Sequence, residues 1–134
     1  MKNARLKLIL PRVLLGAIFF VSGLHWFLDM APPFPYSTEG MTFIRHLQEA
    51  GLFWGFLKAI ELGAGVLLLA GYLGPWVVLG LAPLTMAIVL FHLLLSPTDG
   101  AWLGYLAFAL EVTLLILFRK NIAHMFRNPK SGTP

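Results

Sequence analysis

Seven ionisable residues lie inside or beside long apolar stretches: Arg12, His25, Asp29, Lys58, Glu61, His92 and Glu111. An ionisable group near a bilayer centre costs a few kcal/mol unless it is paired or hydrated, so each needs a partner, a water cavity or a job. Lys58 and Glu61 are three residues apart and share a helical face; an internal ion pair that neutralises itself accounts for them as well as a site does. Trp54, Lys58, Glu61 and Gly65 form one stripe, expected to face the interior. His25 and Asp29 are four apart, and a carboxylate beside an imidazole fixes its tautomer. The plainer account is an interfacial pair at a helix end. His92 lies near the stripe of Thr85 and Ser96; a lone His in an apolar helix is more often a satisfied interior donor than a ligand. Arg12 reads as a side chain snorkelling to anionic head groups.

Glu61 and Glu111, near mid-span, cannot both be ionised cheaply if they share a low-dielectric site. Such a site suits proton handling, or hydrogen bonding to a quinone or a similar carbonyl ligand. Two His and two Glu also make a metal-binding set, but none has local spacing such as His-x-x-x-His or Glu-x-x-His, and no metal is expected. With no cysteine in 134 residues, thiol exchange, disulfides and thiolate-ligated metals are excluded. No covalent cofactor is expected.

The elements that must position these residues are four apolar stretches of 17–21 residues, at 8–28, 52–72, 76–95 and 102–118. Each is long enough to cross a hydrocarbon core of roughly 30 Å and too long, and without the alternation, for barrel strands. The chain is 58% hydrophobic and only 12% charged, about half the charged fraction usual in soluble domains. The reading is an all-α four-helix membrane bundle, one domain over 1–125. The first apolar stretch runs on to Met30 and the prolines beyond, so it is retained as a helix rather than removed as a signal peptide. The turns Gly71–Pro75 and Ser96–Gly100 make the helices they join antiparallel neighbours. The longer first connection opens on a Pro-rich segment, Ala31–Pro35, that favours extended chain. At 41–50 it then places Phe43, Ile44 and Leu47 on one side, which fits a short interfacial helix or a loop folded over the bundle end. Residues 126–134 read as a disordered cytoplasmic tail.

Eight of the ten basic residues precede or begin the first span, or end or follow the fourth: Lys2, Arg5, Lys7, Arg12, Arg119, Lys120, Arg127 and Lys130. The positive-inside rule then puts both termini in the cytoplasm, in the inner (plasma) membrane. Basic residues gathered at span ends are topology signals, not a nucleic-acid face. At about 1.5 Å per residue, His25 and His92 lie roughly 10 Å outside the midplane, Lys58 about half as far, and Glu61 and Glu111 near the middle. Together the five are expected to line one polar pocket that opens outward and ends at two carboxylates.

The run Arg12–Gly23, with Gly16, Ser22 and Gly23, resembles the opening helix of DoxX-family membrane proteins. The run Lys58–Tyr72, with Glu61, Gly63, Gly65 and Gly71, looks like that family's Glu-containing, Gly-rich second helix, and His92 near the end of the third span fits as well. The resemblance covers all four spans in order and length. It implies a four-helix bundle and association with redox enzymes, since members include membrane subunits of quinone-linked sulfur oxidation and partners of thiol-stress systems. It departs where the family often carries a Lys two or three residues after the first-helix glycine. Here Gly23 is followed by Leu24, His25, Trp26 and Phe27, so either His25 replaces that Lys or its role is absent.

Three functions follow. The first is a DoxX-like component of a redox system, binding quinone through Glu61, His92 and His25, with Lys58, Glu111 and Trp54 as further ligand-binding or proton-handling residues. Its partners are the bilayer, a redox-enzyme subunit and, optionally, further copies of itself. The second is a small proton-coupled transporter. Small multidrug transporters have four helices of similar length, but they carry their essential Glu in the first helix, where this chain has none. The third is a membrane adaptor or assembly factor without chemistry.

Overall fold

A computed structural model describes residues 2–30 and 35–127. It consists of helices α1 (Lys2–Phe27), α2 (Thr38–Glu49), α3 (Leu52–Ala70), α4 (Gly74–Leu94) and α5 (Trp102–Met125), with a short 3-10 turn, Asp99–Ala101, before α5. The Pro-rich segment at 31–34 and the tail from 128 onward lie outside the described residues. Helices α1, α3, α4 and α5 are long and apolar enough to cross a membrane. Large apolar side chains such as Leu10, Leu14, Phe56, Leu90 and Ile116 are left exposed on the outside, as a lipid-facing surface requires.

Local chemistry sets the helix ends. After α3, Gly71 adopts φ +81°, its N–H donates to the Leu68 carbonyl and that of Tyr72 to the Leu67 carbonyl. This left-handed cap satisfies carbonyls the helix would otherwise orphan. A Cβ at Gly71 would also strike the Arg12 guanidinium, which lies against this turn. Gly71→Ala is therefore expected to cost about 1–2 kcal/mol from the left-handed backbone alone, plus the displacement of Arg12, read as a lower unfolding midpoint in detergent. Pro75 occupies the first turn of α4, where its missing N–H costs nothing. Helix α1 ends in the same way as α3: Asp29 takes φ +53°, its N–H donates to the Trp26 carbonyl, and that of Met30 to the His25 carbonyl.

Most of the packing is between α1 and α3, between α4 and α5, and between α1 and α5. Helices α3 and α4 are antiparallel across their short turn but touch only lightly. Three glycines bring α1 and α3 together: Gly16 and Gly23 lie against the backbone of α3, and Gly65 lies against the Phe20 backbone. Small residues allow this kind of approach in lipid.

The bundle divides along its length. At the end where α1 begins and α5 finishes, Leu15, Phe19, Leu68, Val78, Leu81, Ala107, Leu114 and Phe118 fill a packed apolar core. The other half is hollow, and α2 lies over it. Ser37 caps α2 by accepting from the Gly40 N–H at 3.0 Å. Its own hydroxyl donates to the Leu95 carbonyl, and its N–H donates to Ser96 Oγ at 2.9 Å. The Thr98 hydroxyl donates to the Pro35 carbonyl. Helix α2 is thereby tied to the end of α4. Its inner side presents Met41, Ile44 and Leu47 to the hollow, and Glu39, Arg45, His46 and Glu49 are exposed outside.

Candidate functional site

The hollow is a cavity of about 860 Å³ bounded by all five helices. Its walls are mostly apolar and aromatic, with two polar groupings. The first joins α1 and α3. Lys58 Nζ donates to Glu61 Oε2 at 2.8 Å, the Ser22 hydroxyl donates to the same oxygen at 2.7 Å, and Lys58 Nζ lies 3.5 Å from Ser22 Oγ. Spacing explains the pair, because i and i+3 on one helix meet. The side chains of Lys58 and Glu61 are 9% and 4% exposed, so the ion pair is buried and hydrogen-bonded, the condition for retaining charge in low dielectric. The ammonium also lies 4.8 Å from the centre of the Trp54 ring, within cation–π reach. Trp54, Lys58, Glu61, Gly65 and Leu68 are the buried residues of α3, so the stripe read from the sequence faces inward. The Trp54 indole N–H is buried without a hydrogen-bond acceptor.

His25 Nδ1 lies 2.8 Å from the Ser22 carbonyl. A carbonyl only accepts, so Nδ1 carries the proton, and in the neutral ring Nε2 is left as an acceptor. The expected pairing of His25 with Asp29 is not formed among the described residues. Helix α1 stops at Phe27, and Asp29 is the left-handed residue of its cap, so the four-residue spacing no longer places both side chains on one helical face. Both residues nevertheless line the cavity.

The second grouping surrounds His92. Its Nδ1 is 3.4 Å from the Ser96 carbonyl, which again directs a proton to Nδ1. The ring is stacked at 29° on Tyr36 with centroids 6.4 Å apart and is met edge-on by Phe91 and Tyr105. Gly104 makes room for it, since a Cβ there would come within 2.6 Å of His92 Cδ2. Tyr36 lines the same cavity. Burial, and then the negative charge of Glu61, hold its phenol above the ordinary tyrosine range, so Tyr36 keeps its O–H as a donor through neutral and mildly alkaline pH.

His25, Trp54, Lys58, Glu61 and His92 therefore line one cavity, and Glu111 does not. It lies one turn beyond Ala107 on α5, is 1% exposed, and neither carboxyl oxygen has a hydrogen-bond partner. The expected pair of carboxylates at the inner end of the pocket is corrected to one, Glu61: Gly104 and Ala107 on the buried face of α5 line the cavity, and Glu111, further along the same face, lies deeper, among the core layers. Two cavity residues had no signal as site residues in the sequence. Ser22 was visible only as part of a family-like run, and Tyr36 follows a proline-rich connection with no periodicity. Among the described residues, no three His, Asp or Glu side chains converge as metal ligands do.

The architecture defines a class: a membrane-spanning four-helix bundle with an internal cavity capped by a fifth, amphipathic helix. The DoxX family model matches residues 7–94, well over half of the chain, and the chain belongs to the DoxX family. The match takes in α1 to α4 and stops before α5. No curated protein and no solved structure matches it significantly.

Proposed function

We propose that this protein is a quinone-binding membrane component of a redox system, resident in the inner (plasma) membrane and serving a partner subunit that supplies electrons. The observation that carries this reading is the cavity: about 860 Å³, apolar and aromatic over most of its wall, with hydrogen-bonding groups at two places. Ligand sites generally have this character, with a few polar groups fixing the orientation of an otherwise apolar guest. A quinone head is flat, aromatic and edged by two carbonyl oxygens. Lys58, the Trp54 indole and the Tyr36 phenol offer donors to such oxygens, and Phe91, Tyr36 and Trp54 offer ring surfaces. Glu61, His25 and His92 are groups that hold or pass protons. Helices α3 and α4, which touch only lightly, leave room beside the cavity for an apolar tail.

A bound quinone would supply the two-electron acceptor. The chain, without cysteine, supplies no thiol of its own, so electrons must come from a partner. The test is binding of a short-chain quinone to the full-length protein in nanodiscs, followed by tryptophan fluorescence. Glu61→Gln and His92→Ala are each expected to weaken binding at least tenfold, the equivalent of about 1.4 kcal/mol. Trp54→Phe, which keeps an aromatic ring of smaller area and removes the N–H, is expected to weaken it several-fold, in line with one lost hydrogen bond and some lost ring contact. Unchanged binding and an unchanged cellular redox phenotype in stably folded Glu61→Gln and His92→Ala variants would overturn the reading.

A further inference from the structure

We infer that the chain carries a second site, for the phosphate-bearing headgroup of an anionic phospholipid, in a groove between the start of α4 and the end of α5. The groove has a volume of about 680 Å³ and lies at the end of the bundle opposite α2; Pro75, Trp76, Lys120, Asn121, His124 and Arg127 form most of its wall. Lys120 and His124 are spaced i and i+4, so they stand on one side of the end of α5, and Arg127, just past the helix's C-cap Phe126, lines the same groove.

Charge selects the ligand. No acidic residue lines the groove. Four of the six acidic residues, Asp29, Glu39, Glu49 and Asp99, belong to the connections at the opposite end, and Glu61 and Glu111 are buried in mid-bundle. Among the described residues, the ion pairs are His46 with Glu49 and Lys58 with Glu61, so the groove's cations have no carboxylate to neutralise them. The result is a concave basic surface with one amide donor, Asn121, and it suits a phosphate.

Position selects a lipid as the source of that phosphate. The groove sits where two spanning helices leave the hydrocarbon, and basic clusters at that depth recognise anionic lipid. Trp76, 56% exposed on the first turn of α4, is the amphipathic ring expected at headgroup level, with its apolar body available to the glycerol and upper acyl chain. The cations also belong to a stretch beyond the family match, which ends at residue 94.

The test is a titration of the purified, delipidated full-length protein with phosphatidylglycerol or phosphatidylcholine, read by native mass spectrometry. One phosphatidylglycerol is expected to bind at least tenfold more tightly than phosphatidylcholine. The triple variant Lys120→Gln/His124→Gln/Arg127→Gln is expected to lose roughly thirtyfold in affinity for the anionic lipid and to keep its affinity for the zwitterionic one. Lys120→Gln alone should lose about fivefold, which keeps the test decisive if the triple variant does not fold. Lys2→Gln/Arg5→Gln/Lys7→Gln removes as many basic groups from α1 and should bind as the wild type does. The inference is overturned if the two lipids bind equally, if the α5 variants bind phosphatidylglycerol unchanged, or if the α1 variant loses as much as the α5 triple. Displacement of the lipid by millimolar inorganic phosphate would replace the lipid with a soluble phosphate and would equally overturn it.

Discussion

Lys58→Met is expected to destabilise the bundle by about 3 kcal/mol, the lower end of the range for breaking a buried ion pair by removing one partner. The cost arises on the other side of the pair. Glu61 is 3% exposed, and without the ammonium its carboxylate retains only the Ser22 hydroxyl. The double variant Lys58→Met/Glu61→Leu removes both charges and leaves apolar groups of similar volume, so it is expected to recover most of the lost stability. Equilibrium unfolding in mixed micelles measures both. A double variant whose loss equals the sum of the two single losses would show that the residues do not stabilise each other. The cycle also separates structure from function: the double variant is expected to fold yet fail to bind quinone. If it folds and binds normally, the pair is a structural device, and the bland reading of these two residues is the correct one.

The pair was legible in the sequence because its geometry is local. Spacings of three and four on α3 place Trp54, Lys58, Glu61, Gly65 and Leu68 on one face, and that face is the buried one. The spans were legible for the same reason, since length and hydropathy are properties of a single segment. Relations between segments were not. Gly104, Ala107 and Glu111 share the buried face of α5, so whether Glu111 reaches the cavity depends on how far α5 is staggered along its neighbours, and a single apolar segment carries little signal of that stagger. Asp29 shares a face with His25 only if α1 continues past Phe27, and the left-handed cap ends it first. Tyr36 reaches His92 because Ser37 ties its segment to Leu95 and Ser96, about 60 residues on in the chain. Loop anchoring of that kind has no periodicity to read. The short α3–α4 turn fixed the direction of the two helices but not their contact, because the glycines of α1 compete for α3 and win.

That competition gives the second large expected effect. Gly65→Ala would place a Cβ 2.4 Å from the Phe20 nitrogen and 2.7 Å from the Phe20 Cα. Both atoms are backbone and cannot swing aside, so α1 and α3 must move apart. Forcing a methyl group into a well-packed contact costs typically 1–3 kcal/mol and occasionally more, and here the upper end is expected. The separation also lengthens the Ser22–Glu61 hydrogen bond, now 2.7 Å, so quinone affinity should fall with stability although residue 65 does not line the cavity. Gly63, two residues earlier on the same helix, is the control. A Cβ there meets nothing within 4 Å, and an exposed helical Gly→Ala change favours the helix by up to about 1 kcal/mol. Gly63→Ala is thus expected to be neutral or stabilising and to bind quinone as the wild type does. Equal losses from the two substitutions would mean that helix propensity, rather than the α1–α3 contact, governs this part of the bundle. Opposite signs would tie the cavity's polar grouping to a backbone approach that only glycine allows.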